Sequence, residues 1–300
     1  MADLEILCSS REITGINHAT VPIISIPTTL SGGEFSDFAG ATDDRTGEKR
    51  MFTSSQTRGP DLVILDPALA TTTPDRIWIS TGVRAVDHCV EALCSLHGSK
   101  NHSDDISENA LGQLIPGLLR SAKDTQRKDL EARLECQLGT ADAMNAVRSR
   151  VMLGASHGIG HQLGPFGVGH GETSCILLPA VCKYNLRHAD SLPEQEGKAL
   201  RERQERLRKF LLTSNPIVRE VVRSRSHHDD VDKVDLGDIL DAVFRELGMP
   251  RSLKDVGVTL SPEQLDLLCV NSLRDLWCPT NPVPLLDKKQ VLEILQDVLG

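Results

Sequence analysis

Hydrophobic positions change their spacing once along this chain. Up to residue 72 they come in short blocks, Val21-Pro22-Ile23-Ile24-Ser25-Ile26-Pro27 and Asp61-Leu62-Val63-Ile64-Leu65-Asp66-Pro67. Short apolar, β-branched runs bounded by Pro, Gly and Thr read as strands. Between them, Gly40–Arg50 carries Asp43, Asp44, Gly47 and Glu48 and reads as a polar turn or hairpin. From Thr73-Pro74 onward the apolar residues recur at the helical period, and helices are expected at 82–96, 106–121, 127–147, 155–164, 172–188, 198–213, 236–247, 262–273 and 287–299. Ser261-Pro262-Glu263-Gln264 is a strong helix start, with Ser as N-cap, Pro at the first helical position and Gln placed to close a capping box. Residues 193–235, rich in Glu, Arg and Lys, read as a solvated, partly mobile excursion. The pattern predicts a mostly α protein with a small α/β N-terminal part (1–72) followed by an all-helical part (73–300).

Composition narrows the class. The 300 residues carry 33 Lys+Arg against 42 Asp+Glu, a net charge of −9, with 39% hydrophobic residues. That is an ordinary globular balance, and its acidic sign argues against a nucleic-acid partner, whose phosphates are bound by cations. The longest apolar stretches, Val21–Ile26 and Cys175–Val181, fall far short of the roughly 20 residues of a membrane span. Met1–Glu5 does not open a signal peptide, so a cytoplasmic setting is expected. Cysteines 8, 89, 94, 136, 175, 182, 269 and 278 stand singly, without C-x-x-C, and read as reduced, buried small hydrophobes.

Candidate chemistry gathers on histidines at helical spacing. His88 follows Arg84 by four residues on one helix face, His157 and His161 share another, and His170 stands in Gly169-His170-Gly171 just before a long helix. A zincin reading fails, because the residue after His157 is Gly158 and not Glu. Taken singly each histidine is more often a core or capping residue; four in two clusters favour a site. Gly158-Ile159-Gly160-His161-Gln162-Leu163-Gly164 has the spacing G-x-G-x-x-x-G and no preceding strand, so its glycines read as sites of close helix packing or substrate approach and not as a dinucleotide fingerprint. Pro27-Thr28-Thr29-Leu30-Ser31-Gly32-Gly33-Glu34 does follow a strand, and its hydroxyls and glycine amides suit a phosphate as well as they suit a plain turn.

Several of these segments, in this order, carry a resemblance: the Pro27–Glu34 loop; Asp66-Pro67; Thr81-Gly82-x-Arg84-Ala85-Val86-x-His88-Cys89-x-Glu91-Ala92; Gly154-Ala155-Ser156-His157-Gly158-Ile159-Gly160-His161-x-Leu163-Gly164; Gly169-His170-Gly171-Glu172; and Leu177-Leu178-Pro179. The chain resembles the iron-containing alcohol dehydrogenases, and within them the maleylacetate reductases and their fungal relatives. The resemblance implies a dinucleotide-binding α/β domain, here a partial remnant over 1–72, and a helical-bundle catalytic domain over 73–300 of the dehydroquinate synthase-like type. It also implies hydride chemistry in the cleft between them, and a homodimer. Relatives bind the NAD(P) pyrophosphate with a Gly-Gly-Gly-Ser loop upstream of Pro-Thr-Thr. Nothing like it lies between Met1 and Pro22, so an N-terminally shortened member is expected, with NAD(P)H binding in doubt.

The resemblance also bears on the metal. Metal-dependent relatives use one Asp and three His; by motif these positions fall on Arg84, His88, His157 and His170. At ~4 Å and an effective dielectric of ~20, a pair of unit charges is worth about 4 kcal/mol, and a dication beside a guanidinium faces roughly twice that as repulsion. No metal is therefore expected, as in relatives whose Asp is replaced. The implied activity is a metal-independent, NAD(P)H-dependent reduction of a keto-acid or related small acidic metabolite. Arg84, His88, His157 and His170 would polarise and orient it, His161 would deliver the proton, and Thr28, Thr29, Ser31 and Gly32 would touch the cofactor. The competing expectation is a redox-inactive member using the same cleft for isomerisation, dehydration or cyclisation, and a third is a non-catalytic partner subunit.

Overall fold

The structure, a computed structural model, describes residues 20–36, 38–42, 45, 49–53, 59–98, 101–149, 151–225 and 230–300. Cys8 and the His227-His228 pair lie outside them. The expected strands form as β1 (Ile24–Ser25) and β4 (Leu62–Val63), which pair in parallel with Ile24 opposite Leu62. The expected hairpin forms as β2 (Phe38–Thr42) antiparallel to β3 (Lys49–Thr53). The buried strand expected at 21–27 is instead open to solvent: Ile23, Ile24 and Ile26, with Leu62 and Ile64 opposite, are exposed. Parallel strands ordinarily need both faces covered to be buried, and a pair of two-residue strands covers neither.

Eleven helices follow among the described residues. α1 (Pro67–Ala70) is capped by Asp66, whose carboxylate accepts from Leu69 N at 2.9 Å. Next come α2 (Asp75–Cys94), α3 (Asn101–Lys123) and α4 (Leu130–Arg148). α2 starts seven residues before its expected boundary at residue 82. Ser80-Thr81-Gly82 looks like a start signal, but both hydroxyls bond backward to Ile77 O, at 3.3 and 2.7 Å, and the helix runs through them.

The chain continues through α5 (Ala155–Leu163), α6 (His170–Arg187), α7 (Glu194–Ser214), α8 (Pro216–Arg225), α9 (Leu236–Glu246), α10 (Pro262–Ser272) and α11 (Lys288–Gln296). The charged excursion expected over 193–235 is mostly helix. Leu200, Leu207, Leu211 and Leu212 of α7, with Val218, Val221 and Val222 of α8, are buried, a stripe at three- and four-residue spacing that the surrounding charges obscure. Those charges pair outward, as in Arg203 with Asp104 at 2.9 Å and Arg206 with Glu108 at 2.7 Å. The expected capping box of Ser261 with Gln264 forms, and a second one, Asp287 with Gln290, starts α11.

Two apolar clusters make the core, one around α2, α3 and α9 and one around α5, α10 and α11. α6 is the wall between them: Cys175, Leu178 and Cys182 face the first, while Ile176, Leu177, Val181 and Tyr184 face the second. The seven described cysteines are buried and unpaired. No described helix is long and apolar enough to cross a membrane.

Candidate active site

α2 packs against α6, and α6 against α5, so three helices bring the sequence's histidines to one place. Arg84, Asp87, His88 and Glu91 occupy positions i, i+3, i+4 and i+7 of α2 and share a face. α5 supplies His157 and His161, and the first turn of α6 supplies His170 and Ser174. The rings form a chain. His88 stacks on His157 at 4.7 Å between centroids, His157 meets His161 edge-on at 6.4 Å, and His161 lies parallel to His170 at 6.3 Å. The structure thus gathers all four expected histidines. They differ in access: His157 is buried, His88 and His161 are part-buried, and His170, at the start of its helix, is exposed.

Arg84 is buried at 6% exposure and is not the surface partner of Asp87 that its i,i+3 spacing allows. Its Nη1 donates to Ser174 Oγ at 3.2 Å, and that hydroxyl donates to Asp87 Oδ2 at 2.5 Å. Ser174 is the one hydrogen-bond acceptor of Arg84 among the described residues, so most of the guanidinium fork has no protein acceptor. Asp87 Oδ2 also accepts from Ser156 Oγ at 2.8 Å. Glu91 accepts the N–H groups of Gly154 and Ser156 at 2.9 and 2.8 Å, and Nδ1 of His157 lies 2.8 Å from its Oε2.

Gly154 makes this approach possible. A Cβ there would sit 2.8 Å from Asn281 Oδ1 and 3.0 Å from Glu91 Oε1. Asn281 in turn accepts from Ala155 N at 3.1 Å and so holds the first turn of α5.

These contacts set the electrostatics. Burial, then Arg84 and His161, pulls His88 down to about 3. Burial, then Arg84 and the neighbouring rings, pulls His157 well below the usual imidazole range, so both are neutral near pH 7. His157 Nδ1 faces Glu91, and its Nε2 is buried without a hydrogen-bond partner. Burial raises Asp87 to about 6 against the pull of Ser174, Arg84 and Ser156. It also raises Glu91 well above the carboxylate range, with Asp87 adding to the shift. Burial lowers Arg84 while both acids support its charge.

The expected cofactor loop docks one turn earlier on α2. Thr73 Oγ1 donates to Thr28 O at 2.7 Å and Leu30 N donates to Thr81 Oγ1 at 3.1 Å, which pins the loop near Arg84. Thr29 Oγ1 donates to Ser31 Oγ at 3.2 Å. Gly32 is buried against Met144, whereas Gly33 faces open space.

Sequence reasoning did not assign Asp87, Glu91, Ser156, Ser174 or Asp275 to the site. The 84-87-88-91 spacing was a usable signal for the two acids of α2. Asp275, from the turn after α10, carried none; its Oδ2 lies 2.9 Å from His161 Nδ1. Gly158 lets this turn reach α5, since a Cβ there would meet Cys278 Sγ at 2.6 Å and Cys278 N at 3.1 Å. Asp87, Glu91 and His157 hold ligand-type atoms within 4.8 Å of one another. Asp87 Oδ2 accepts from two hydroxyls, and Glu91 accepts from two N–H groups and faces the His157 ring, whereas Asp87 Oδ1 and His157 Nε2 are buried without a hydrogen-bond partner.

This helical architecture, with its ordered histidines and the Thr-rich loop on α2, defines a class. The chain belongs to the Fe-containing alcohol dehydrogenase family, whose C-terminal profile matches residues 78–299. Particular relatives sharpen the likeness. The chain is 40% identical to "Dehydrogenase FUM7" of Gibberella moniliformis over 93% of its own length and 65% of that protein's. It is 30% identical to the maleylacetate reductase of Burkholderia cepacia over 66% of its length and 56% of that protein's. The chain therefore spans less than two thirds of both relatives. Its fold matches the sulfoacetaldehyde reductase of Bifidobacterium kashiwanohense solved in complex with NAD+, with a TM-score of 0.72 and 22% identity over 96% of this chain and 68% of the other.

Proposed function

We propose that this site is a metal-independent reducing centre for a small keto-acid, in the manner of a maleylacetate reductase, acting with NAD(P)H as a homodimer. One observation carries the reading: a buried guanidinium with a single protein acceptor stands beside imidazoles that it helps to hold neutral. A permanent cation of that kind suits a substrate carboxylate and disfavours a divalent ion among His88, His157 and His170. Thr28, Thr29, Ser31 and Gly32 would hold NAD(P)H, which when bound would supply the hydride. Arg84 binds the carboxylate in its fork. His157 Nε2 and His88 line the pocket as uncharged groups, and His161 gives the carbonyl oxygen its proton as negative charge develops there.

A second reading also has an observation in its favour. In the loop the amide of Leu30 is committed to Thr81 Oγ1 and Gly32 is buried against Met144, so neither is open to a pyrophosphate. On that reading the cleft carries out isomerisation, dehydration or cyclisation without redox. NADH and NADPH fluorescence titrations separate the two. Saturable binding in the micromolar range, with cofactor oxidation on adding a 2- or 3-keto-acid, supports the reductase. Absence of saturation below millimolar cofactor favours the redox-inactive cleft.

A further inference from the structure

We propose that Asp275 is a positioning residue that fixes the ring orientation and tautomer of His161; its catalytic consequence rests on the proton-donor role given to His161 above. Asp275 Oδ2 lies 2.9 Å from His161 Nδ1, with both side chains at or below a tenth exposed. A carboxylate can only accept, so Nδ1 carries the proton and Nε2, across the ring, is the nitrogen that exchanges protons with substrate. The same carboxylate supports the ring when it is doubly protonated. After Nε2 gives up its proton, the ring returns to the Nδ1–H form, ready to be reloaded at Nε2.

The surroundings hold Asp275 in one orientation. Its Oδ1 accepts from Trp277 N at 3.0 Å, and Gln162 Nε2 approaches Oδ2 at 3.5 Å. Both flanking groups are donors, so an amide at this position cannot satisfy all three neighbours. In Asp275→Asn, keeping the oxygen on Trp277 N turns the amide N–H2 toward His161 Nδ1, which must then accept. That forces the Nε2–H tautomer, which cannot take up a proton at the reacting nitrogen. The fold is expected to survive, because the cap on Trp277 is retained.

The test reads the ring directly. Uniformly 15N-histidine-labelled protein, with His161 assigned by its loss in His161→Gln, is examined by long-range 15N–1H correlation at a pH where the ring is neutral. The expected result is the Nδ1–H tautomer in the unmodified protein, the Nε2–H tautomer in Asp275→Asn, and return of Nδ1–H in Asp275→Glu. In turnover of a keto-acid with NAD(P)H, Asp275→Asn should lose about 10²-fold in kcat with KM little changed, as for other losses of acid–base function. A His161 ring in the Nε2–H form in the unmodified protein, or one unmoved by Asp275→Asn, overturns the inference. An inverted tautomer with unchanged kcat upholds the positioning and instead removes His161 from the proton-transfer step of the proposed function.

Discussion

Replacing Arg84 by Met keeps most of the side chain's length and apolar stem while removing the charge and the fork. Among the described residues the guanidinium makes one hydrogen bond, to Ser174. The lost protein contact is therefore small beside the lost contact to a bound carboxylate. A hydrogen bond to a charged group is worth about 1.5–3 kcal/mol, and the Coulomb limit at ~4 Å and an effective dielectric of ~20 is about 4 kcal/mol. Arg84→Met should accordingly weaken binding of an acidic substrate or a non-reactive carboxylate inhibitor by roughly 10–150-fold. The methyl ester of the same compound should lose little. Arg84→Lys should fall between the two, since an ammonium restores the charge without the planar fork. The assay is inhibition or calorimetric binding by the acid and its ester, run in parallel on the three proteins, with melting temperatures to confirm folding. Equal losses for acid and ester, or no loss for the acid, would refute the assignment of Arg84 to a carboxylate.

Other expectations follow from the same geometry. His161→Ala should lower turnover by about 10²–10⁴-fold with the fold intact; a destabilised protein with an unchanged rate would return His161 to the core. The folded-state value of His88, about 3, lies below its ordinary 6.5, so the stability it contributes is present above that ordinary value and is lost as pH falls toward 3. Asp87, raised to about 6, acts in the opposite sense as pH falls from there to 3.8. His88→Asn should remove the first effect and flatten the acid side of the stability profile by about 2 kcal/mol between neutral pH and pH ~4, allowing for partial exposure of the ring; urea unfolding at the two pH values measures it. Gly154→Ala should cost about 1–3 kcal/mol by forcing a methyl against Asn281 and Glu91, and should raise the His157 ring's mobility.

The helical half was legible because it obeys local rules. The 3.6-residue period, the Ser261 capping box and the i,i+4 histidine pair all survive unchanged. What local rules missed has local reasons. α2 passes through a Ser-Thr-Gly signal because both hydroxyls bond back to Ile77, and the apolar stripe of α7 and α8 is sparse within a run dominated by Arg and Glu. The acids that govern the histidines were hidden for a different reason. Asp87 and Glu91 sit on a helix face that tolerates charge only because Arg84 shares that face of α2 and two serines and two backbone N–H groups converge on it from the start of α5 and from α6. That convergence spans more than sixty residues of sequence, and Asp275 reaches His161 across 114.

The proposed metal independence of the site beside Arg84 is tested most directly by elemental analysis of protein purified without chelator, alongside activity or ligand binding before and after exposure to a strong chelator. Less than a tenth of an equivalent of iron, zinc, manganese or nickel per chain, with function untouched by the chelator, is the predicted result; ~8 kcal/mol of repulsion at contact distance leaves little net affinity. Arg84→Asp should then raise the metal content. A stoichiometric metal in the unmodified protein, lost together with function on chelation, would contradict the account at its centre.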